Sequence, residues 1–173
     1  MDKILFQWIN SFAGRWEFLD LSAIFFAQYS GYALLGVLVL IFVAKRKEIN
    51  WKFVIGGVIA SIALSRGFIT EIFRFFYDRP RPFEVMDVVR LAVHSPGSSF
   101  PSGHAAFYFA LSWFLFFWNK KIGGMFLIAT LLMTFSRVFA GVHYPADIFA
   151  GFWIGLFSAL GIYWLQKKFY RSG

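Results

Sequence analysis

The sequence predicts an all-α bundle of membrane-spanning helices, and three observations predict it. Of 173 residues, 59% are hydrophobic, 23% are aromatic and only 15% are charged, which is too apolar for a water-soluble domain of this length. The apolar residues gather into long segments, the clearest of which, Leu21 to Ala44, runs for 24 residues without a charge. Seven of the eight lysines then fall at alternate ends of these segments, as expected of a chain threaded back and forth through a bilayer.

Taken in order, the elements are about five transmembrane helices preceded by one that lies in the membrane interface. Residues 1 to 12 place Ile4, Leu5, Trp8, Ile9 and Phe12 at helical spacing. That stripe is too short to span and lacks a signal-peptide cleavage pattern, so an interfacial amphipathic helix is expected. The first span, Leu21 to Ala44, is closed by Lys45, Arg46 and Lys47. A second runs from about Trp51 to Tyr77 and carries Arg66, Glu71 and Arg74, whose charges must face protein or water rather than lipid. Pro101 to Trp118 and Ile122 to Phe139 form the third and fourth, separated by a tight turn, and Ala146 to Gln166 forms the fifth. The one long connection, Asp78 to Phe100, is polar. No repeat or composition shift divides the chain, so residues 1 to 173 are expected to form a single domain.

The lysines orient this bundle. Segments 45–52, 119–121 and 167–173 share one side and hold Lys45, Lys47, Lys52, Lys120, Lys121, Lys167 and Lys168, so that side is expected to be cytoplasmic. The N-terminus, the 78–100 connection and the 140–145 turn then face outward. The net charge of +8 comes with no basic stripe interleaved with aromatics, which speaks against nucleic acid and for anionic lipid as partner. With no cysteine in the chain, disulfides, thiolate nucleophiles and Cys-ligated metals are excluded.

The chemically capable residues lie at the outward ends of three spans. The second ends in RFFYDRPRP, the third begins with PSGH, and the turn from fourth to fifth reads SRVFAGVHYPAD. Arg74, Arg81 and Arg137 supply permanently charged forks that suit phosphate oxygens. Pro101 is placed to open the third helix, which would leave the amides near Ser102, Gly103 and His104 unpaired at a positive helix terminus. His143 precedes Asp147 by four residues, so the carboxylate can accept from one ring nitrogen and leave the other free to attack, with His104 as the acid.

Arg74 followed by Arg81-Pro82, then Pro101-Ser102-Gly103-His104, then Ser136-Arg137 with His143 and Asp147, resembles the three-part signature of the type-2 phosphatidic acid phosphatase superfamily. The first position, usually lysine in that family, is Arg74 here, and the family usually shows six spans. The resemblance implies that His143 attacks phosphorus to form a phosphohistidine, Asp147 fixes its tautomer, and His104 protonates the leaving oxygen and then activates water. It implies that Arg74, Arg81, Ser102, Gly103 and Arg137 hold the phosphoryl oxygens, with no metal and no cofactor. It further implies a membrane phospholipid or isoprenoid lipid phosphate as substrate. Undecaprenyl pyrophosphate or the 1-phosphate of lipid A is favoured, because both occur on the outward side, ahead of phosphatidylglycerol phosphate or phosphatidic acid. A vanadate-dependent haloperoxidase would share much of the signature but is soluble, and a non-catalytic lipid-phosphate carrier would not need the two histidines and the aspartate.

The remaining polar residues are assigned plainer roles. Arg66 is expected to form a structural ion pair in the bundle, Glu71 to position Arg74, and His94, Asp78, Arg79 and Arg90 to be solvated loop groups.

Overall fold

A computed structural model describes residues 1–47 and 50–171; residues 48–49 and 172–173 of the predicted basic segments lie outside these. The helices are α1 Asp2–Asn10, α2 Glu17–Ala44, α3 Trp51–Phe76, the short α4 Pro82–Val85, α5 Gly103–Trp118, α6 Lys120–Phe139 and α7 Pro145–Arg171, with no strand among the described residues. Four of them, α2, α3, α6 and α7, are long and apolar enough to cross a membrane.

The expected third span is shorter than the rest. Helix α5 has 16 residues, about 24 Å at the helical rise of 1.5 Å per residue, against roughly 30 Å of hydrocarbon. It begins at Gly103 rather than Pro101, because Ser102 serves as its N-cap: the Ser102 hydroxyl accepts from the Ala105 amide and its own amide donates to the Asp147 carbonyl. A helix wrapped in protein need not match the bilayer, and α5 is wrapped by α3, α6 and α7. Ala105, Ala106, Ala110, Leu111, Phe114 and Leu115 are fully buried.

Small residues let α7 come in closest. A Cβ at Gly151 would stand 2.5 Å from that of Ala105, and one at Gly155 would stand 2.7 Å from the Ala110 amide. These two glycines, four apart on one face, bring the backbones together as small residues do between helices in lipid. Polar contacts add to this where lipid offers no alternative: Ser112 and Thr130 share a hydrogen bond of 2.9 Å between α5 and α6, and Ser65 donates to the Ala106 carbonyl at 3.2 Å between α3 and α5.

Helix α1 does more than the expected interfacial helix. Ile4, Leu5 and Trp8 remain exposed, but Phe6 and Ile9 are buried against Val138, Phe139 and Tyr144. The Asn10 amide donates to the carbonyls of Val89 and Phe139, both at 2.8 Å, and accepts from the Val89 amide at 3.0 Å, tying the 78–100 connection to the end of α6. Chain direction therefore brings the end of α3, the start of α5, the end of α6, the start of α7, α1 and the long connection to one end of the bundle. The lysine-bearing turns lie at the other.

Both long N-terminal spans are interrupted by a π-helical stretch, Phe25–Tyr29 in α2 and Ala63–Ile69 in α3. Each passes the cavity described next, where such irregularities tend to occur.

Candidate active site

Between the arginine-bearing helix ends lies a cavity of about 320 Å³, lined by Arg66, Arg74, Arg81, His94, Gly103, His104 and His143 on its polar side. Its other wall is Ala27, Gln28, Gly31 and Tyr32 of α2 with Phe107, Tyr108 and Met133.

His143 sits in the turn from α6 to α7 and is buried. Arg81 Nη1 lies 3.1 Å from its Nε2. A guanidinium can only donate, so Nε2 carries the lone pair and the ring proton is on Nδ1. That proton points between the Asp147 Oδ2, at 3.4 Å, and the Ser99 hydroxyl, at 3.3 Å. Ser99 in turn donates to Asp147 Oδ2 at 2.5 Å, and the Tyr144 amide donates to the same oxygen at 2.9 Å. The spacing of four residues across Pro145, which opens α7, is what sets Asp147 beneath the ring. Burial, and then the charges of Arg137 and Arg81, hold the His143 pKa well below the ordinary histidine value, so the ring is neutral.

His104, the second residue of α5, is exposed to the cavity, and its imidazole makes no hydrogen bond among the described residues. The Gly103 and His104 amides, first in the helix, are likewise without partners and point with the positive end of its dipole.

The arginines are held from behind and open in front. Arg81 donates to the carbonyls of Ser98 and Val142, and burial, then the neighbouring Arg74, lower its pKa to about 10, still protonated at neutral pH. Arg74 donates to the Pro101 carbonyl at 3.2 Å and meets Glu71 at 3.5 Å. Glu71 contacts Arg66 more closely than Arg74, so it joins both rather than positioning Arg74 alone. Arg137 does not line the cavity: it stands behind the wall with Nη1 on the Ala27 carbonyl at 2.7 Å, its charge reaching His143 from there. Ser102 is also set back, its hydroxyl and amide spent on the helix cap and on Asp147. The Nε atoms of Arg74, Arg81 and Arg137 are buried without a hydrogen-bond partner among the described residues.

Two residues expected to be solvated, Arg79 and His94, are not, and a third, Arg90, is exposed but tied to its loop. Arg79 grips Asp147 Oδ1 at 2.8 Å and Asp2 at 2.6 Å and lies 3.8 Å over the Tyr144 ring. Burial is the largest influence on Arg79 and opposes its charge, but Asp2 and Asp147 outweigh it and raise its pKa. His94 stands over the cavity with its ring 6.1 Å from those of both His104 and His143, and burial, with Arg81 near, lowers its pKa to about 4. Arg90 stacks at 4.0 Å on Phe83 and bonds the Ala92 and His94 carbonyls, holding that loop in place. Ser99 belongs to none of the sequence motifs; its position two residues before Pro101 is its only local signal. Among the described residues no three His, Asp or Glu side chains stand close enough to hold a metal ion.

Four likenesses agree with this geometry. The model of the PAP2 superfamily matches residues 54–171. The bacitracin transport permease protein BcrC of Bacillus licheniformis is 30% identical over 164 residues, covering 94% of this chain and 79% of that one. Undecaprenyl-diphosphatase BcrC of Bacillus subtilis (strain 168) is 32% identical over 152 residues, or 86% and 75% of the two chains. Among solved structures, LpxE of Aquifex aeolicus superposes with a TM-score of 0.75 at 28% identity over 93% of each chain.

Proposed function

The chain belongs to the PAP2 superfamily, and from that premise we propose that it is a membrane hydrolase that removes the terminal phosphate of a lipid phosphate, with an undecaprenyl-type lipid diphosphate as the favoured substrate. One observation carries this: Arg74 and Arg81 line the cavity, and their buried guanidinium Nε atoms have no hydrogen-bond partner among the described residues. Charge at membrane depth is costly without a counter-ion, and the one carboxylate beside the nucleophile, Asp147, is already taken by Arg79. A phosphoryl group supplies the missing anion.

In the reaction proposed, substrate displaces Arg81 from His143 Nε2, and that lone pair attacks phosphorus. Asp147 and Ser99 steady the Nδ1 proton and the positive charge that grows on the ring. Arg74 and Arg81, with the free amides of Gly103 and His104, take the equatorial oxygens as charge builds on them, and Arg137 adds its field from behind. His104 protonates the leaving oxygen, then takes a proton from the water that cleaves the phosphohistidine. Lipid A 1-phosphate would use the same steps. No step calls on a metal ion. The site faces the periplasm or exterior of the bacterial inner membrane in this assignment, opposite the lysine-bearing turns.

A non-catalytic carrier of lipid phosphates would account for the arginines, but not for a neutral His143 braced on Asp147. Purified protein in detergent micelles with EDTA separates the two: it is expected to release inorganic phosphate from undecaprenyl diphosphate. Stoichiometric binding without release would leave the carrier in its place.

A further inference from the structure

Arg66 belongs to none of the motifs above, yet it lines the same cavity. It sits in the π-helical stretch of α3, and its guanidinium lies across Gly103: a Cβ there would stand 2.5 Å from Arg66 Nε and 3.0 Å from its Cδ. Gly103 therefore lacks a side chain because Arg66 occupies that space. Glu71 holds Nη1, whereas Nε and Nη2 make no hydrogen bond among the described residues. Because Glu71 also reaches Arg74, one carboxylate fixes the two guanidiniums side by side.

The arginines form a series from the depth of the site to its rim. Arg81 and Arg137 are buried, the Arg74 side chain is 19% exposed and that of Arg66 38% exposed. The same cavity is lined by Gln28 and the largely exposed Tyr32 of α2, so it reaches the flank of the bundle. A lipid tail must leave the site on such a flank. Arg66 thus stands between the place of the reacting phosphoryl group and the start of the tail, beside the residue that precedes His104.

Displacement at phosphorus puts the leaving oxygen opposite the nucleophile, on the side of the acid. When the leaving group is an alcohol, its charge falls on a single oxygen and the proton of His104 neutralises it. A diphosphate ester leaves instead as a lipid monophosphate, whose other oxygens stay anionic after that proton is delivered. A second, permanently charged fork answers this need.

Resting on the phosphatase reading above, we infer that Arg66 binds the inner phosphate of a lipid diphosphate and gives the site its preference for diphosphate over monophosphate lipids. In the step it serves, the bond between terminal phosphorus and bridging oxygen breaks with its electron pair passing to that oxygen. The N–P bond forms at His143 Nε2, and the bridging oxygen, protonated by His104, becomes part of the monophosphate held by Arg66. Water then releases the terminal group from His143 as inorganic phosphate.

The test compares two lipids that differ by one phosphate, farnesyl diphosphate and farnesyl monophosphate, on the full chain in detergent micelles. For Arg66→Ala, kcat/KM on the diphosphate is expected to fall about 100-fold, as for loss of one preorganised donor, and at least about tenfold further than on the monophosphate. Arg66→Lys, which keeps the charge and the stem if the alanine variant folds poorly, is expected to lie between. Competition by inorganic pyrophosphate should weaken relative to orthophosphate in both variants. Equal losses on the two lipids, or no loss on either, would overturn the inference while leaving the phosphatase reading intact. A wild-type protein that cleaves neither lipid would overturn both.

Discussion

Both ends of the bundle are cationic, but they carry their charge on different residues and in different surroundings. At one end seven lysines sit in short turns and at helix termini, where exposed ammonium groups stay hydrated, as at Lys45, Lys47, Lys52, Lys120 and Lys121. At the other end, Arg66, Arg74, Arg79, Arg81, Arg90 and Arg137 converge, Arg81 and Arg137 are buried, and the Nε atoms of Arg74, Arg81 and Arg137 have no hydrogen-bond partner among the described residues. A lysine is a flexible, strongly hydrated point charge; an arginine is a rigid fork that tolerates burial. In the function proposed above, the lysine end orients the chain in the membrane and the arginine end receives the anion.

Substitutions should separate the two ends, beginning with the largest effect. Arg81→Ala removes the donor that faces His143 Nε2, and should raise the barrier by on the order of 2–4 kcal/mol; Arg81→Lys, keeping charge without the fork, should recover only part of it in kcat/KM. Next comes Arg79→Ala. It strips Asp147 of its ion pair and frees Asp2 of α1, so kcat is expected to fall about 10- to 100-fold, on the scale of losing a group that orients a catalytic one. Ser99→Ala should lower kcat by about tenfold, since its hydroxyl bridges Asp147 and the His143 ring. Ser102→Ala should show instead as a lowered melting temperature, the cost of a lost helix cap being about 1 kcal/mol.

These residues also mark what was legible beforehand. The five apolar segments, the three motifs and the turn of His143 above Asp147 follow from local pattern: hydrophobic run length, Pro at a helix start, and a spacing of four residues. Arg79, His94 and Ser99 lie in the 78–100 connection, which has no periodicity, and their roles depend on contacts with residues far along the chain. Arg79 meets Asp2 and Asp147, and the pairing of α1 with Val89 and Phe139 runs through one asparagine. No run of neighbouring residues encodes such contacts. The shortness of α5 was hidden for a related reason: its Ser102 cap depends partly on Asp147, forty-five residues on. The small-residue face of Gly151 and Gly155, by contrast, was open to reading in the sequence.

A subtler effect should appear in the pH profile. Burial first, and then Arg137 and Arg81, depress the His143 pKa, so the ring stays neutral as pH falls through the usual histidine range. The acid limb of kcat/KM that belongs to His143 should therefore lie below pH 6.5, the unperturbed histidine value. Replacing Arg81 by Gln removes one depressing charge, which raises that pKa and moves the limb to higher pH. An unmoved limb would mean that burial and Arg137 keep the ring neutral without Arg81.

The smallest effects belong to the lysine end. Lys120→Gln with Lys121→Gln should leave turnover within about twofold of wild type, as expected of exposed charges far from the site. With a cysteine placed at position 87 or 120 in intact cells, an impermeant reagent should label the first and spare the second; the reverse pattern would turn the site toward the cytoplasm.

The central claim is that His143 is the nucleophile and His104 the acid, and trapping the covalent intermediate tests it most directly. His104→Ala keeps the neutral, Arg81-facing ring but cannot activate water, so incubation with nitrophenyl phosphate, whose leaving group needs no acid, should leave acid-labile phosphate on the protein. His143→Ala should carry none with any substrate. Label on His143→Ala and not on His104→Ala would exchange the two roles, and label on neither would contradict a phosphohistidine altogether.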